Sequence, residues 1–276
     1  MLTGSLHCVV PPLLASLLET DLWPPAGFFR APVLSGPCGG RVLSQGGRRV
    51  GSGCLVLVDG WNHYVAALRC FGYRSAAEFP LDRLALHVAA EAGADAVSAA
   101  AVVMALPDRN RPDEAPEFHA WRKRLRRLRN YGVHHESARF SYHQPACTRC
   151  STTLDRKVTC GNCGASNTPA GRRKEKGADI RLASLALRGA WQQEYSTLII
   201  LSQDSDFGPM VQEVKKVHQA QGRRYALYSA FPTCTRPDHE HRAIPGTREL
   251  RLDAGVYGAL IDRPSVHVTD RGAGTP

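Results

Sequence analysis

The sequence predicts an α/β fold: a mainly parallel sheet with helices on both faces. Three observations predict it. From Cys54 onward, short β-branched apolar runs alternate with segments of helical spacing. The runs CLVLVDG, AVSAAAVVMAL and STLIILS are apolar almost throughout, the pattern of strands buried on both faces. Two strands also end in carboxylates, LVLVDGWN in Asp59 and LIILSQDSD in Asp204 and Asp206.

The elements follow in order. CLVLVDG is a buried strand closing on Asp-Gly, and PLDRLALHVAAEAG has helical spacing with a glycine stop. AVSAAAVVMAL is a second buried strand, ended by Pro107, and EFHAWRKRLRRLRNYG is a helix. VHHESARFSYH is a third strand, placed at a sheet edge. GADIRLASLALRGAW is a helix, STLIILS a strand, PMVQEVKKVHQAQG a helix and RRYALYSA a strand. There is no internal repeat.

The 276 residues, 43% of them hydrophobic, suffice for one large domain with a real core. Residues 1–50, rich in Pro, Gly and Leu, read as a flexible extension, 51–262 as the α/β domain and 263–276 as a flexible tail. Residues 144–171 read as an insert within the domain. No run approaches the roughly 20 apolar residues of a membrane span. No Lys or Arg precedes Arg30, so the basic start of a secretory leader is missing. The expectation is a cytoplasmic protein with no membrane partner. The net charge of +10 points to a polyanion, with nucleic acid first and an anionic membrane surface second.

In such folds ligands sit outside the carboxyl ends of the strands. Asp59, Asp204 and Asp206 fall there, and Asp179, near the start of the helix GADIRLASLAL, lies beside them. Asn62 adds an amide. Carboxylates gathered at one edge repel one another unless a cation separates them. Oxygen-only ligands select Mg²⁺ or Mn²⁺. Such an ion acidifies a water and holds a phosphate oxygen, the chemistry of phosphodiester cleavage. Singly, each residue has a plainer reading: Asp206 as a cap for the helix opened by Pro209, Asp59-Gly60 as a turn, Asp179 as a helix-dipole partner.

The stretches LVDGWN, EKGADIRLASLAL and LSQDSDFGPMVQEV resemble the three signatures of the NYN domain, over roughly Cys54 to Ala230. That resemblance implies a PIN-like three-layer α/β/α sandwich and a metal-dependent ribonuclease. By position it implies Asp59, Asp179, Asp204 and Asp206 as the catalytic acidic metal site, with Asn62 and Ser202 as accompanying polar residues. Gln203 departs from the family, which more often has glycine there, and is expected to crowd a tight turn.

CTRCSTTLDRKVTCGNCG carries Cys147, Cys150, Cys160 and Cys163 as two CxxC pairs nine residues apart. Four thiolates at this spacing point to a structural zinc ribbon, closed and therefore not catalytic. Gly161 and Gly164 are expected to permit its tight turns, and Arg149, Arg156 and Lys157 to decorate it. The insert reads equally as a wall for substrate and as a staple for a long loop. In FHAWRKRLRRLRNYG an apolar stripe of Phe118, Trp121, Leu125 and Leu128 leaves Arg122, Lys123, Arg124, Arg126, Arg127 and Arg129 around it. Together with Arg172, Arg173 and Lys174 these are expected to bind phosphates and funnel a strand toward the carboxylates. Cys234, His239 and His241 read as a polar loop rather than a second metal site, and His63, next to Asn62, either as lining the site or, as is usual for a lone histidine, as a surface or packing residue.

The leading hypothesis is therefore a Mg²⁺- or Mn²⁺-dependent ribonuclease with an internal zinc ribbon, acting on single-stranded RNA. The alternative is an RNA-binding regulator with little or no turnover. An aspartyl phosphatase is disfavoured because Asp59 is followed by GWN rather than xD, and an NTPase because GxxxxGK[ST] is lacking. PIN-like relatives often pair, so a homodimer is an expectation. So is a control partner, because an unrestrained ribonuclease is toxic.

Overall fold

Every residue of Cys54–Asp59 is buried, and this run forms the central strand β1. The computed structural model describes residues 53–72, 79–142, 147, 149–152, 159–166, 173–236 and 242–261. The expected extension 1–50 and tail 263–276 lie outside the described residues, as do Arg156, Lys157, Arg172, His239 and His241. Strand β1 pairs in parallel with β2 (Val97–Ala105) on one side and β5 (Thr197–Leu201) on the other. Beyond them lie β3 (Val133–Ser141), β4 (Lys174–Lys176), β6 (Ala226–Pro232) and β7 (Arg248–Leu252). The sheet order is β4-β3-β2-β1-β5-β6-β7, and among its strands β4 alone runs antiparallel. The strand expected at an edge, β3, is covered by β4.

Alternation along the strands divides the core in two. Val56, Val58, Val102, Met104, Ile199 and Leu201 pack with α1 (Gly60–Phe71), α2 (Leu81–Glu91), α3 (Ala115–Arg129) and α6 (Ala254–Ile261). Leu57, Ala101, Val103, Leu198 and Ile200 are buried toward the opposite face. There α4 (Ala178–Trp191) packs against β1, β2 and β3, and against α5 (Gly208–Ala220). The result is the expected three-layer α/β/α sandwich with a small cysteine module inserted between β3 and β4.

Asp59-Gly60 is the start of a helix, not a turn. A Cβ on Gly60 would stand 2.7 Å from the Cβ of Met104, so only glycine lets α1 begin this close to β2. Trp61 Nε1 then donates to the carbonyl of Ala105 at 2.7 Å, fastening the first turn of α1 to the end of β2. Its ring, with Tyr64, Phe79 and Trp121, forms an edge-on aromatic cluster under α3.

Candidate active site

The chain runs from β1 outward to β2 and β3, then crosses back to β5, β6 and β7. Strands β1 and β5 therefore flank the topological switch point, where a crevice opens at the carboxyl ends. Asp59 ends β1 on one side of that crevice, and Ser202 follows β5 on the other. They are joined: Ser202 Oγ donates to Asp59 Oδ2 at 3.0 Å. The same hydroxyl accepts from the backbone N–H of Asp204 at 3.1 Å. The Asn62 backbone N–H donates to the Asp59 carboxylate, and its Oδ1 accepts from the Gln203 N–H at 3.3 Å. The two predicted supporting residues thus stitch β1 to the β5–α5 connection.

Burial pushes the Asp59 carboxyl up to about 7. The Ser202 and Asn62 hydrogen bonds oppose that rise, and the charges of Glu175 and Asp179 add to it. Asp179 sits in the first turn of α4, after Gly177 in the left-handed region at φ 83°. Its carboxyl is raised by partial burial and then by the fields of Asp204 and Asp206. Asp204 is half-buried and caps a single turn of 3₁₀ helix, Ser205–Phe207, its Oδ1 accepting from the Asp206 N–H at 2.9 Å. Asp206 is exposed. Asp206 does not cap the helix that Pro209 opens: Phe207 stands at the N-cap of α5 with no side-chain cap hydrogen bond, and the capping by Asp204 serves the 3₁₀ turn before it. Gln203 does not take a positive φ, so the backbone of this turn has no need of glycine.

Glu175 is a residue that sequence reasoning missed. It lies on β4 opposite Phe140, and its Oε1 accepts from the Ala105 N–H at the end of β2. Burial, reinforced by Asp179 and opposed by that hydrogen bond, pushes it up to about 7. The only hint in sequence is one acid within the basic run RRKEK. Asp59, Glu175, Asp179, Asp204 and Asp206 thus come from β1, β4, α4 and the β5–α5 connection. None of the described ion pairs uses any of them. An oxygen-only set with no basic partner suits a hard divalent cation. The carboxylates share one field without closing on a point. Among the described residues the four cysteine thiols are the group gathered tightly enough to hold an ion.

Those thiols, of Cys147, Cys150, Cys160 and Cys163, lie within 4.8 Å of one another. The Cys147–Cys163 and Cys150–Cys160 sulfurs are 3.5 and 3.7 Å apart. A zinc ion bound tetrahedrally at about 2.3 Å sets its sulfurs roughly 3.8 Å apart, so the set can bind such a metal. The two knuckles repeat each other. Cys147 N–H donates to Thr152 O and Ser151 N–H to Cys147 O; Cys160 N–H donates to Ala165 O and Gly164 N–H to Cys160 O. Ser151 at φ 57° and Gly164 at φ 67° hold equivalent left-handed positions. The turn-forming freedom expected of Gly161 is not used. The Thr152 hydroxyl and backbone, then Asn162, bring Cys150 down to about 6, favouring its thiolate. The insert is rooted beside the acidic residues, since Ser141 pairs with Lys174 and Phe140 with Glu175.

The basic residues need two corrections. Arg124 is buried, bonding to the Phe79 carbonyl and pairing with Asp82 at 2.9 Å, so it is no part of an exposed face. Arg173 is held by both carboxylate oxygens of Glu117, at 2.6 and 2.8 Å, and by Glu114 at 3.4 Å. It stacks over Phe140 and Trp61, so its charge is spent inside the fold. Arg122, Lys123, Arg126, Arg127, Arg129 and Lys174 are exposed. Helix α3 joins two parallel strands, so it must return from the carboxyl end of β2 to the amino end of β3. Its acidic first turn lies at the crevice, and Arg129 lies about 18 Å of helix axis below Glu117. The funnel toward the carboxylates does not form along this helix. His63 packs as expected, buried and bonded to the Tyr257 hydroxyl at 2.5 Å.

Among the described residues no helix is long and apolar enough to cross a membrane. No curated protein matches the chain. Among solved structures it is similar to a Vibrio parahaemolyticus protein of unknown function, with 15% identity and a TM-score of 0.34. That similarity covers 67% of this chain and 85% of the other. A family model of the NYN domain matches residues 54–235, from the first residue of β1 to just past β6. The chain belongs to the NYN domain family, within the PIN-like nuclease superfamily.

Proposed function

We propose that the protein is a metal-dependent ribonuclease whose site is the crevice between β1 and β5. The observation that carries this reading is the set of five carboxylates from four segments, with Ser202 bridging Asp59 to the Asp204 backbone and no described ion pair reaching them. Asp59, Asp179, Asp204 and Asp206 would hold Mg²⁺ or Mn²⁺. Held there, such a cation supplies polarisation of a phosphate oxygen and acidification of a water. Asp59, oriented by Ser202 and the Asn62 N–H, is the rigid ligand. Asp179 and Asp206, both exposed, face the entering substrate. Glu175, raised to about 7, is suited to take up a proton near neutral pH. The four thiolates would hold a structural zinc ion that braces β4 and so Glu175. The exposed bases of α3 and Lys174 would contact RNA phosphates outside the crevice, as non-specific reading of single-stranded RNA requires.

One observation favours the second reading, an RNA-binding regulator without turnover: the carboxylates do not converge as the thiols do. Cleavage of end-labelled single-stranded RNA in Mn²⁺, Mg²⁺ and EDTA separates the two. The nuclease reading expects metal-dependent cutting, lost by about 100-fold or more in Asp204→Asn and Asp59→Asn. RNA retained by the folded protein but uncut in both metals establishes the regulator.

A further inference from the structure

Two cysteines that no spacing motif connects meet in space. Cys70 lies in the last turn of α1, and Cys234 follows β6. They are 164 positions apart in the chain, and their sulfurs lie 2.6 Å apart. Neither belongs to the zinc set, and both are half-buried, within reach of a small solute. Their surroundings are firm. Helix α1 packs on β6, the Phe71 ring packs tilted against Tyr257 with centroids 4.6 Å apart, and the Thr233 N–H donates to the Leu252 carbonyl at 2.8 Å. The contact is therefore built by ordered elements on both sides.

We infer that Cys70 and Cys234 form an oxidation site, closed by a peroxide into a reversible disulfide that locks α1 to the β6–β7 side of the sheet. The chemistry balances with one equivalent of peroxide. One thiolate attacks a peroxide oxygen, the O–O bond breaks, the sulfur becomes a sulfenic acid, and the departing hydroxide takes up the proton that the thiol had lost and leaves as water. The second thiol displaces hydroxyl from that sulfur, the S–S bond forms, and a second water leaves with the proton. Two thiols lose two electrons and two protons in all. Burial and the neighbouring thiol push Cys70 up to about 12, while Arg236 pulls it down. The second step is fast because the partner sulfur is already in contact. The cross-link reaches the site through α1, whose opposite end carries Trp61 and Asn62.

The test uses the full zinc-loaded chain. It is reduced, freed of reductant, treated with hydrogen peroxide, alkylated and digested without reduction. The expected product is one peptide pair joined through Cys70 and Cys234. With it should come a rise in Tm of roughly 5–15 °C, reversed by dithiothreitol and missing from both C70S and C234S. Separate alkylation of both thiols, or joining of either mainly to another cysteine, would overturn the inference. So would a second zinc per wild-type chain that is lost in C70S, since the pair would then be part of a metal site. The wild-type peptide map decides the matter even if a serine variant folds poorly.

Discussion

Burial at the end of β1 gives Asp59 a pH signature that is open to measurement. Its folded value near 7 lies above the ordinary 3.8, so the native, metal-free protein holds this proton more tightly than the unfolded chain does. Its contribution to stability is complete below about pH 4 and is lost as pH rises through about 7, a change of a few kcal/mol. Glu175, also near 7, adds in the same direction. A divalent cation held by Asp59 needs that group ionised, so its stabilisation must grow over the same interval. Thermal melts from about pH 4.5 to about 8.5 should therefore show, in EDTA, a Tm that falls up to about pH 7 and levels above it, with a Mn²⁺ protection that widens over the same rise. Asp59→Asn should flatten the EDTA slope and remove most of the Mn²⁺ effect. An unchanged slope would mean that Asp59 is not the titrating group.

Charge along α3 is divided between its ends. Glu114 and Glu117 hold Arg173 near the crevice, and Arg126, Arg127 and Arg129 crowd the last turn, where cations also suit the helix dipole. A bound RNA that reaches the crevice and also touches these bases must run along the outer side of the helix. Arg126→Gln combined with Arg129→Gln should leave metal-dependent cutting of a very short oligonucleotide intact. It should weaken binding of a longer strand and lower the slope of log K against log salt by about 1.4, at roughly 0.7 for each lost phosphate contact. An unaltered slope would remove this helix from the RNA path. Buried Arg124 behaves differently. Its loss leaves Asp82 unpaired, and the defect would appear in stability instead.

For the whole molecule, the cysteine insert packs in a small cluster of its own, apart from the main core. Chelating its metal, or replacing Cys147 and Cys160 with Ser, should remove about one zinc per chain while far-UV circular dichroism changes little. Because the insert is rooted through β4, hydrogen exchange at residues 174–176 and RNA cleavage should both respond. Global unfolding would show instead that the ribbon is a folding element of the entire domain. The alternation of strands and helices, the carboxylate-ended strands and the CxxC pairs were legible in the sequence because each is a local period or spacing. Strand β4 (KEK) and β7 (RELRL) were not, being short, charged edge strands without an apolar run. Helix α6 is a single short segment with two glycines, announced only by Asp253, whose Oδ1 caps it by accepting from the Val256 N–H at 2.9 Å. So the sequence by itself determined the layer architecture and the family, and it named four of the five acids proposed for the crevice. Tertiary structure alone decided that Glu175 joins them, that Arg173 is neutralised, that Arg124 is buried and that the last-turn bases of α3 lie at the end of the helix remote from the crevice. It also decided that Cys70 meets Cys234. Each of these depends on which distant segments become neighbours, and strand order and crossover direction set that, not any pattern within one segment.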